Sequence, residues 1–256
     1  MAINSFMRNE MKFILDEYQY ESLLNVLENY MNPDAFCVNG KEYGVYNVYY
    51  DTNDSFLIRE SLAKPYYKEK LRLRSYSSPV EKDELVFLEI KKKIGGIVAK
   101  RRINLTLSEA NSFIFDGITP KFENSKKNYI QYQVLNELVA FLKNYAVVPK
   151  QYISYQRLAY FGKDDKNFRL TFDRMITTRR FDVALDMGNY GTQVLLPNQH
   201  LMEVKIVGSM PMWLSHELAR LQIYKTSFSK YGAAYKKYQL EKVQNKLLTT
   251  SSTSII

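Results

Sequence analysis

Residues Tyr66 to Tyr76 read YYKEKLRLRSY, and within them Lys68, Lys70, Arg72 and Arg74 recur at every second position. In an extended strand alternate side chains share a face, so these four cations stand along one side roughly 6 to 7 Å apart. Like charges so placed repel. A strand holds them there when that face meets water or a polyanion. One such strand alone fits a solvated outer face, but the pattern recurs along the chain.

Met7 to Leu15 alternates in the same way, with Arg8, Glu10, Lys12 and Ile14 on one side and Met11, Phe13 and Leu15 on the other. Leu85 to Ile94 and Ile97 to Leu105 flank Gly95-Gly96, a two-residue hairpin signal. Glu89, Lys91 and Lys93 share a face of the first arm, and Lys100 and Arg102 a face of the second. A tyrosine-rich strand, Tyr152 to Phe161, aligns Tyr155, Arg157 and Ala159. Phe168 to Ile176 aligns Arg169, Thr171 and Asp173, and His200 to Val207 carries Glu203 and Lys205. Tyr43 to Asp51 is a further strand, and Phe181 to Leu185 another.

Helical spacing of apolar residues marks a helix after Asp16, which suits its N-cap, and others from Ser108, over Asn128 to Asn144, over Trp213 to Leu221 and over Ser229 to Leu248. The chain has 256 residues, 46% of them hydrophobic, enough for one large domain over residues 1–248, with 249–256 a frayed tail. Its net charge of +9 favours a negatively charged partner, whether nucleic acid, anionic membrane or phosphate-rich small molecule. A single cysteine, Cys37, excludes an internal disulfide. The N-terminus lacks a secretory apolar stretch and no window is long and apolar enough to span a bilayer, so a cytoplasmic location is expected. No GxxxxGK[ST] loop is present.

If the charged strands close into an antiparallel barrel of about eight strands with flanking helices, an α+β fold, one face becomes a lumen dense with cations. Such a lumen needs water, anions or both, because buried charge is costly unless paired or solvated. Arginine forks and lysine point charges suit a chain of phosphates. Glu10, Glu89, Asp173 and Glu203 would repel such a chain directly. Two readings stand for each: it pairs with a neighbouring lysine, or it holds a divalent cation between carboxylate and phosphate.

The runs Arg8 to Phe13, Tyr50-Asp51-Thr52, Leu71 to Tyr76, Phe87 to Lys91, Lys100-Arg101-Arg102, Tyr155-Gln156-Arg157, Arg169 to Asp173, Met202 to Lys205 and Ser229-Lys230-Tyr231 stand in an order that resembles VTC domains. That family, the polyphosphate polymerase domain of the vacuolar transporter chaperone, belongs to the triphosphate tunnel metalloenzymes of the CYTH-like superfamily. The resemblance implies a tunnel barrel that uses ATP and Mn2+ or Mg2+ to extend inorganic polyphosphate. It implies Lys12, Arg72, Arg74, Lys91, Arg157, Arg169 and Glu203 as catalytic residues, and Lys70, Lys100, Arg102, Lys205 and Lys230 as substrate-binding ones. Glu203, Glu10 and Glu89 would be metal ligands. Arg8 stands where related CYTH-type enzymes carry the first acid of ExExK, and Ser227 where some members have a lysine, which leaves nearby Lys225 without an assigned role. A separate membrane partner for the product is compatible with this reading. A triphosphatase, a polyphosphate-binding protein without activity and an RNA-binding module are the alternatives; the acids among the cations argue against nucleic acid.

Overall fold

The computed structural model describes residues 9–37, 40–95, 97–122 and 129–252. Arg8, Gly96 and residues 253–256 lie outside the described residues. Strands β1 (Asn9–Leu15), β3 (Tyr43–Thr52), β4 (Tyr67–Ser75), β5 (Leu85–Ile94), β6 (Ile97–Thr106), β7 (Val147–Gly162), β8 (Arg169–Arg179), β10 (His200–Ile206) and the short β11 (Lys225–Thr226) form one antiparallel path. Its order is β11-β1-β10-β8-β7-β3-β4-β5-β6, with β2 (Met31–Pro33) added to β7 and β9 (Thr192–Gln193) to β8. Among the described residues no backbone pairing joins β6 to β1 or β11, so the expected closed barrel is here a sheet whose path has two ends. A side-chain ion pair spans the strands next to those ends: Lys91 Nζ on β5 lies 4.0 Å from Glu10 Oε2 on β1. The tight connection between β5 and β6 needs a left-handed residue, supplied by Gly95 at φ +53°.

Alternation along each strand divides the sheet into two sides. On the outer side Val48, Leu71, Leu73, Leu88 and Ile103 pack beneath helices α3 (Leu107–Phe115) and α4 (Tyr129–Asn144). Phe13, Leu15, Leu170, Phe172, Met202 and Val204 pack beneath α1 (Glu17–Tyr30) and α5 (Met212–Arg220). Asp16 caps α1 as its position implies, accepting from Gln19 N at 2.8 Å while Gln19 Oε1 accepts from Asp16 N at 3.0 Å. On the inner side Tyr49, Ile153, Tyr155 and Leu201 meet α2 (Phe56–Leu62) through Ile58 and α6 (Lys230–Ser252) through Tyr231 and Ala234. The helices on the outer side cover apolar faces, which leaves the charged faces to each other.

Two local readings change. Residues 181–185 form no strand, because Arg179 gathers the carbonyls of Asp182, Ala184, Gly188 and Tyr190 around its guanidinium at 2.9 to 3.1 Å, and a ladder strand cannot surrender its acceptors that way. Helix α6 runs to Ser252, past Leu248.

Helix α2 is too short to announce itself by periodicity, and a remote carboxylate holds it. Asp51, fully buried, accepts from Thr52 N and Leu57 N at 2.8 and 2.9 Å, from Ile58 N at 3.0 Å and from Tyr231 OH at 2.8 Å. Asp51→Ala strands those donors, and unsatisfied buried donors cost about 1–3 kcal/mol each. We expect it to lower the unfolding free energy by roughly 3 kcal/mol or more in a urea titration, against a much smaller loss for Tyr231→Phe; equal small losses would show that water replaces the carboxylate.

Candidate functional site

Eight strands, β1, β3 to β8 and β10, send inner-face side chains into one cavity of about 870 Å³. Among the described residues, eleven cationic side chains line it: Lys12, Lys70, Arg72, Arg74, Lys91, Lys100, Arg102, Arg157, Arg169, Lys205 and Lys230. Three of the described carboxylates line it too, Glu10, Asp34 and Glu203. Strand register explains the convergence. Arg72 pairs with Glu89, Glu89 with Arg102, Lys70 with Lys91 and Lys91 with Lys100, so the cations of β4, β5 and β6 form rows across the sheet. Across the other half Lys12 pairs with Glu203, and Glu203 with Thr171.

The cations are held apart by buried counter-charges. Asp173, with no exposed surface, takes Arg157 as a fork, Nε to Oδ1 at 2.6 Å and Nη2 to Oδ2 at 2.8 Å, and also accepts from Lys230 Nζ. Glu203 meets Lys230 and Lys205 at 3.2 Å and Lys12 at 3.4 Å. Burial would raise the Glu203 carboxyl, but Lys230, Lys205, Lys12 and Arg157 outweigh it and hold the pKa well below the usual carboxylate range. Tyr155, buried among Arg157, Arg74 and Lys230, ends at about 8 because those cations overcome the desolvation that pushes a phenol up. Among the described residues Lys70 pairs with no carboxylate: its Nζ donates to Ser229 Oγ at 3.5 Å and stands 5.8 Å from the centroid of the Tyr231 ring. Burial, then repulsion from Lys91, Lys68, Lys12 and Arg72, pushes its ammonium down to about 7.

Every site residue that the resemblance implies lines this cavity except Glu89, and the further candidate carboxylate Asp173 lies behind Arg157 and Lys230. The Glu89 side chain is 1% exposed and sits behind Arg72 Nε at 2.6 Å and Lys100 Nζ at 2.8 Å. Ionisation is secured there, as burial is overcome by Arg72, Arg74 and Lys100 and the pKa falls to about 2. Glu89 pairs with both cations here, and a divalent ion at its carboxylate would have to displace them. Lys68, first of the basic run, turns away to donate to the Ser61 carbonyl at 3.0 Å. Exposed Lys225, paired on β11 with the outward-packed Phe13, does not line the cavity.

Among the described residues no three metal-binding side chains cluster. Glu10 and Glu203 do face one another across Lys12, whose Nζ is 3.3 Å from one and 3.4 Å from the other. Two hard oxygen donors beside a dense set of cations fit Mg2+ or Mn2+, which would take the rest of their shell from substrate oxygens and water.

A family model described as the VTC domain matches residues 7–239. The chain belongs to the VTC domain family. This family is part of the triphosphate tunnel group, whose members act on phosphate substrates and typically depend on a divalent metal. No curated protein sequence matches this VTC domain. Among solved structures it is similar to a protein of Bacillus halodurans assigned provisionally as an adenylate cyclase, at 14% identity over 87% of this chain and 95% of that one, with a TM-score of 0.49. A protein of Vibrio parahaemolyticus with the same provisional assignment is similar at 13% identity over 89% of this chain and 97% of that one, with a TM-score of 0.43. Among the described residues of the VTC domain, no helix is long and apolar enough to cross a membrane.

The residues that pattern alone left unassigned are the ones that hold others in place. Asp34 accepts from Arg169 Nη2 at 3.0 Å, Asn47 Oδ1 from Arg74 Nε at 3.0 Å, and Tyr49 OH from Arg72 Nη1 at 3.1 Å. Their signal in the sequence was only parity: Asn47 and Tyr49 alternate with the core residues of β3.

Proposed function

We propose that this VTC domain is a polyphosphate polymerase that transfers the terminal phosphoryl group of ATP to the end of an inorganic polyphosphate chain and releases ADP. What carries the reading is one cavity in which, among the described residues, ten cations on strands and Lys230 on α6 face three carboxylates, a charge balance suited to condensed phosphate. Lys12, Arg72, Arg74, Lys91, Arg157 and Arg169 would bear on the reacting phosphates, and Lys70, Lys100, Arg102, Lys205 and Lys230 on the rest of nucleotide and polymer. Glu203 with Glu10 would hold the divalent ion, which when bound draws charge from phosphate oxygens.

In the transfer an oxygen of the polymer's terminal phosphate forms a bond to the γ-phosphorus of ATP as the bond from that phosphorus to the bridging oxygen breaks, and the electron pair leaves with ADP. The acceptor oxygen is already ionised at neutral pH, so no general base is needed. Glu203, held far below the usual range, is a poor base in any case. Positioning and charge neutralisation by the arginines and lysines are the work left to the protein.

Hydrolysis is the alternative, and it would release free phosphate instead of polymer. Incubation with ATP and Mn2+, with ADP, polymer length and free phosphate followed together, separates the two. ADP rising in step with polymer is expected; free phosphate as the sole product would refute polymerisation.

Lys70 sets a pH dependence. Its folded value lies below the ordinary lysine value, so the amine is charged below pH 7 and neutral above it, and a bound polyanion restores the charge. Tripolyphosphate binding should therefore take up protons between about pH 7 and the ordinary lysine value near 10.4, and should weaken as pH rises through this window. Calorimetry in two buffers of different ionisation heat reads the uptake, which Lys70→Met should reduce. Heats independent of buffer in the unmodified protein would contradict the linkage.

A further inference from the structure

The rim at one mouth of the cavity differs in chemistry from its interior. Tyr43 opens β3, Tyr76 directly follows β4 and Phe161 stands next to the end of β7; because β3 is antiparallel to both neighbours, these rings gather at one edge of the sheet. Phe36, in the loop after β2, joins them. Ring centroids are 6.1 Å apart for Phe36 and Tyr43 and 6.0 Å for Tyr43 and Tyr76, and all four rings line the cavity. Phe36 is 75% exposed and Tyr76 45% exposed, so neither spends its face on the core. The deeper tyrosines are different, for Tyr49, Tyr155 and Tyr231 are buried.

Polar groups at the rim sort ligands further. Asp34, 8% exposed, neutralises Arg169 through Nη2, while Arg169 Nε is buried with no hydrogen-bond partner among the described residues and its guanidinium lies 4.9 Å from the Phe161 ring centroid. A carboxylate and bare rings repel or ignore phosphate. They suit a flat, uncharged aromatic group carrying hydroxyl and amino donors, since every nucleobase has a π-face and stacks on exposed aromatic side chains.

We propose that Phe36 and Tyr76, with Tyr43 between them, form a stacking site for the base of a nucleoside triphosphate, whose phosphates then point inward to the cations. Asp34, held beside Arg169, takes a ribose hydroxyl or an exocyclic amine. This deepens, and rests on, the reading of the cavity as a phosphate-transfer site. It makes the two ends of the substrate recognised by separable groups.

Binding of ATP and of tripolyphosphate to the full chain, compared for the unmodified protein, Phe36→Ala, Tyr76→Ala and the double variant, tests it. Both residues are exposed and outside the phosphate-binding set, and Phe36→Tyr with Tyr76→Phe keeps the rings as a control. The double variant should bind ATP roughly tenfold or more weakly, from the usual strength of base stacking, with tripolyphosphate unchanged and the ring-preserving control near normal. Parallel losses for both ligands, or no loss for either, would overturn the stacking site. Failure of the unmodified protein to bind either ligand would overturn the phosphate reading, and this proposal with it.

Discussion

Glu203→Gln is expected to lower turnover of ATP by roughly 100-fold or more while leaving tripolyphosphate bound at least as tightly as before. The two halves of this outcome have opposite causes. Glutamine keeps the shape of the side chain but removes the negative charge that now faces Lys230, Lys205 and Lys12 at 3.2 to 3.4 Å. The three ammonium groups become more available to a polyanion, so binding gains. Turnover loses because those ammonium groups are no longer aimed and because one of the two carboxylates able to hold a divalent ion is gone. Binding and turnover are measured on one preparation, and a melting curve separates loss of site from loss of fold. Raising Mn2+ should recover part of the activity of Glu203→Gln and none of the loss in Glu89→Gln, since Glu89 lies behind Arg72 and Lys100. Turnover unchanged in Glu203→Gln would remove this residue from the reaction.

The strand faces were legible in the chain because a period of two is a local property: Lys70, Arg72 and Arg74 share a side whatever the strand pairs with. Their convergence was not, since register and strand order are non-local. Nothing near Lys12 in sequence says that Glu203 stands opposite it. The same limit explains Glu89, whose neighbours in sequence are Leu88 and Ile90, whereas its meaning comes from Arg72 and Lys100 on the flanking strands. Helix α2 escaped for a related reason, its N-terminal donors being satisfied by Asp51 and tied through it to Tyr231 on α6. The false strand at residues 181–185 came from reading apolar alternation without the claim that Arg179 makes on that segment's carbonyls. The aromatic rim has no spacing signature at all, as Phe36, Tyr43, Tyr76 and Phe161 come from a loop and from the ends of three strands.

Asp173→Asn should destabilise the fold by roughly 3–5 kcal/mol, the cost of leaving buried charge without its partner, and a phosphate ligand should return part of that loss. Asp173 is fully buried and holds the Arg157 fork and Lys230. Burial alone would raise its pKa; Arg157 and Lys230 reverse that, and the same pairings drive the Lys230 ammonium above its ordinary value. Because the folded carboxyl titrates below its unfolded value, its contribution to stability is complete above the ordinary carboxylate range near pH 3.9 and disappears as pH falls through the folded value. The asparagine variant should accordingly show a shallower acid destabilisation than the unmodified protein. A bound polyanion places negative charge beside Arg157 and Lys230, so tripolyphosphate should raise the melting temperature of Asp173→Asn by more than it raises that of the unmodified protein. Ligand linkage alone would give both proteins the same shift at equal saturation. An equal or smaller shift in the variant would mean that Asp173 acts chiefly by orienting Arg157, whose fork is then lost to the ligand as well. A larger one would mean that the cavity carries a deliberate excess of positive charge, kept foldable by this buried carboxylate until phosphate arrives.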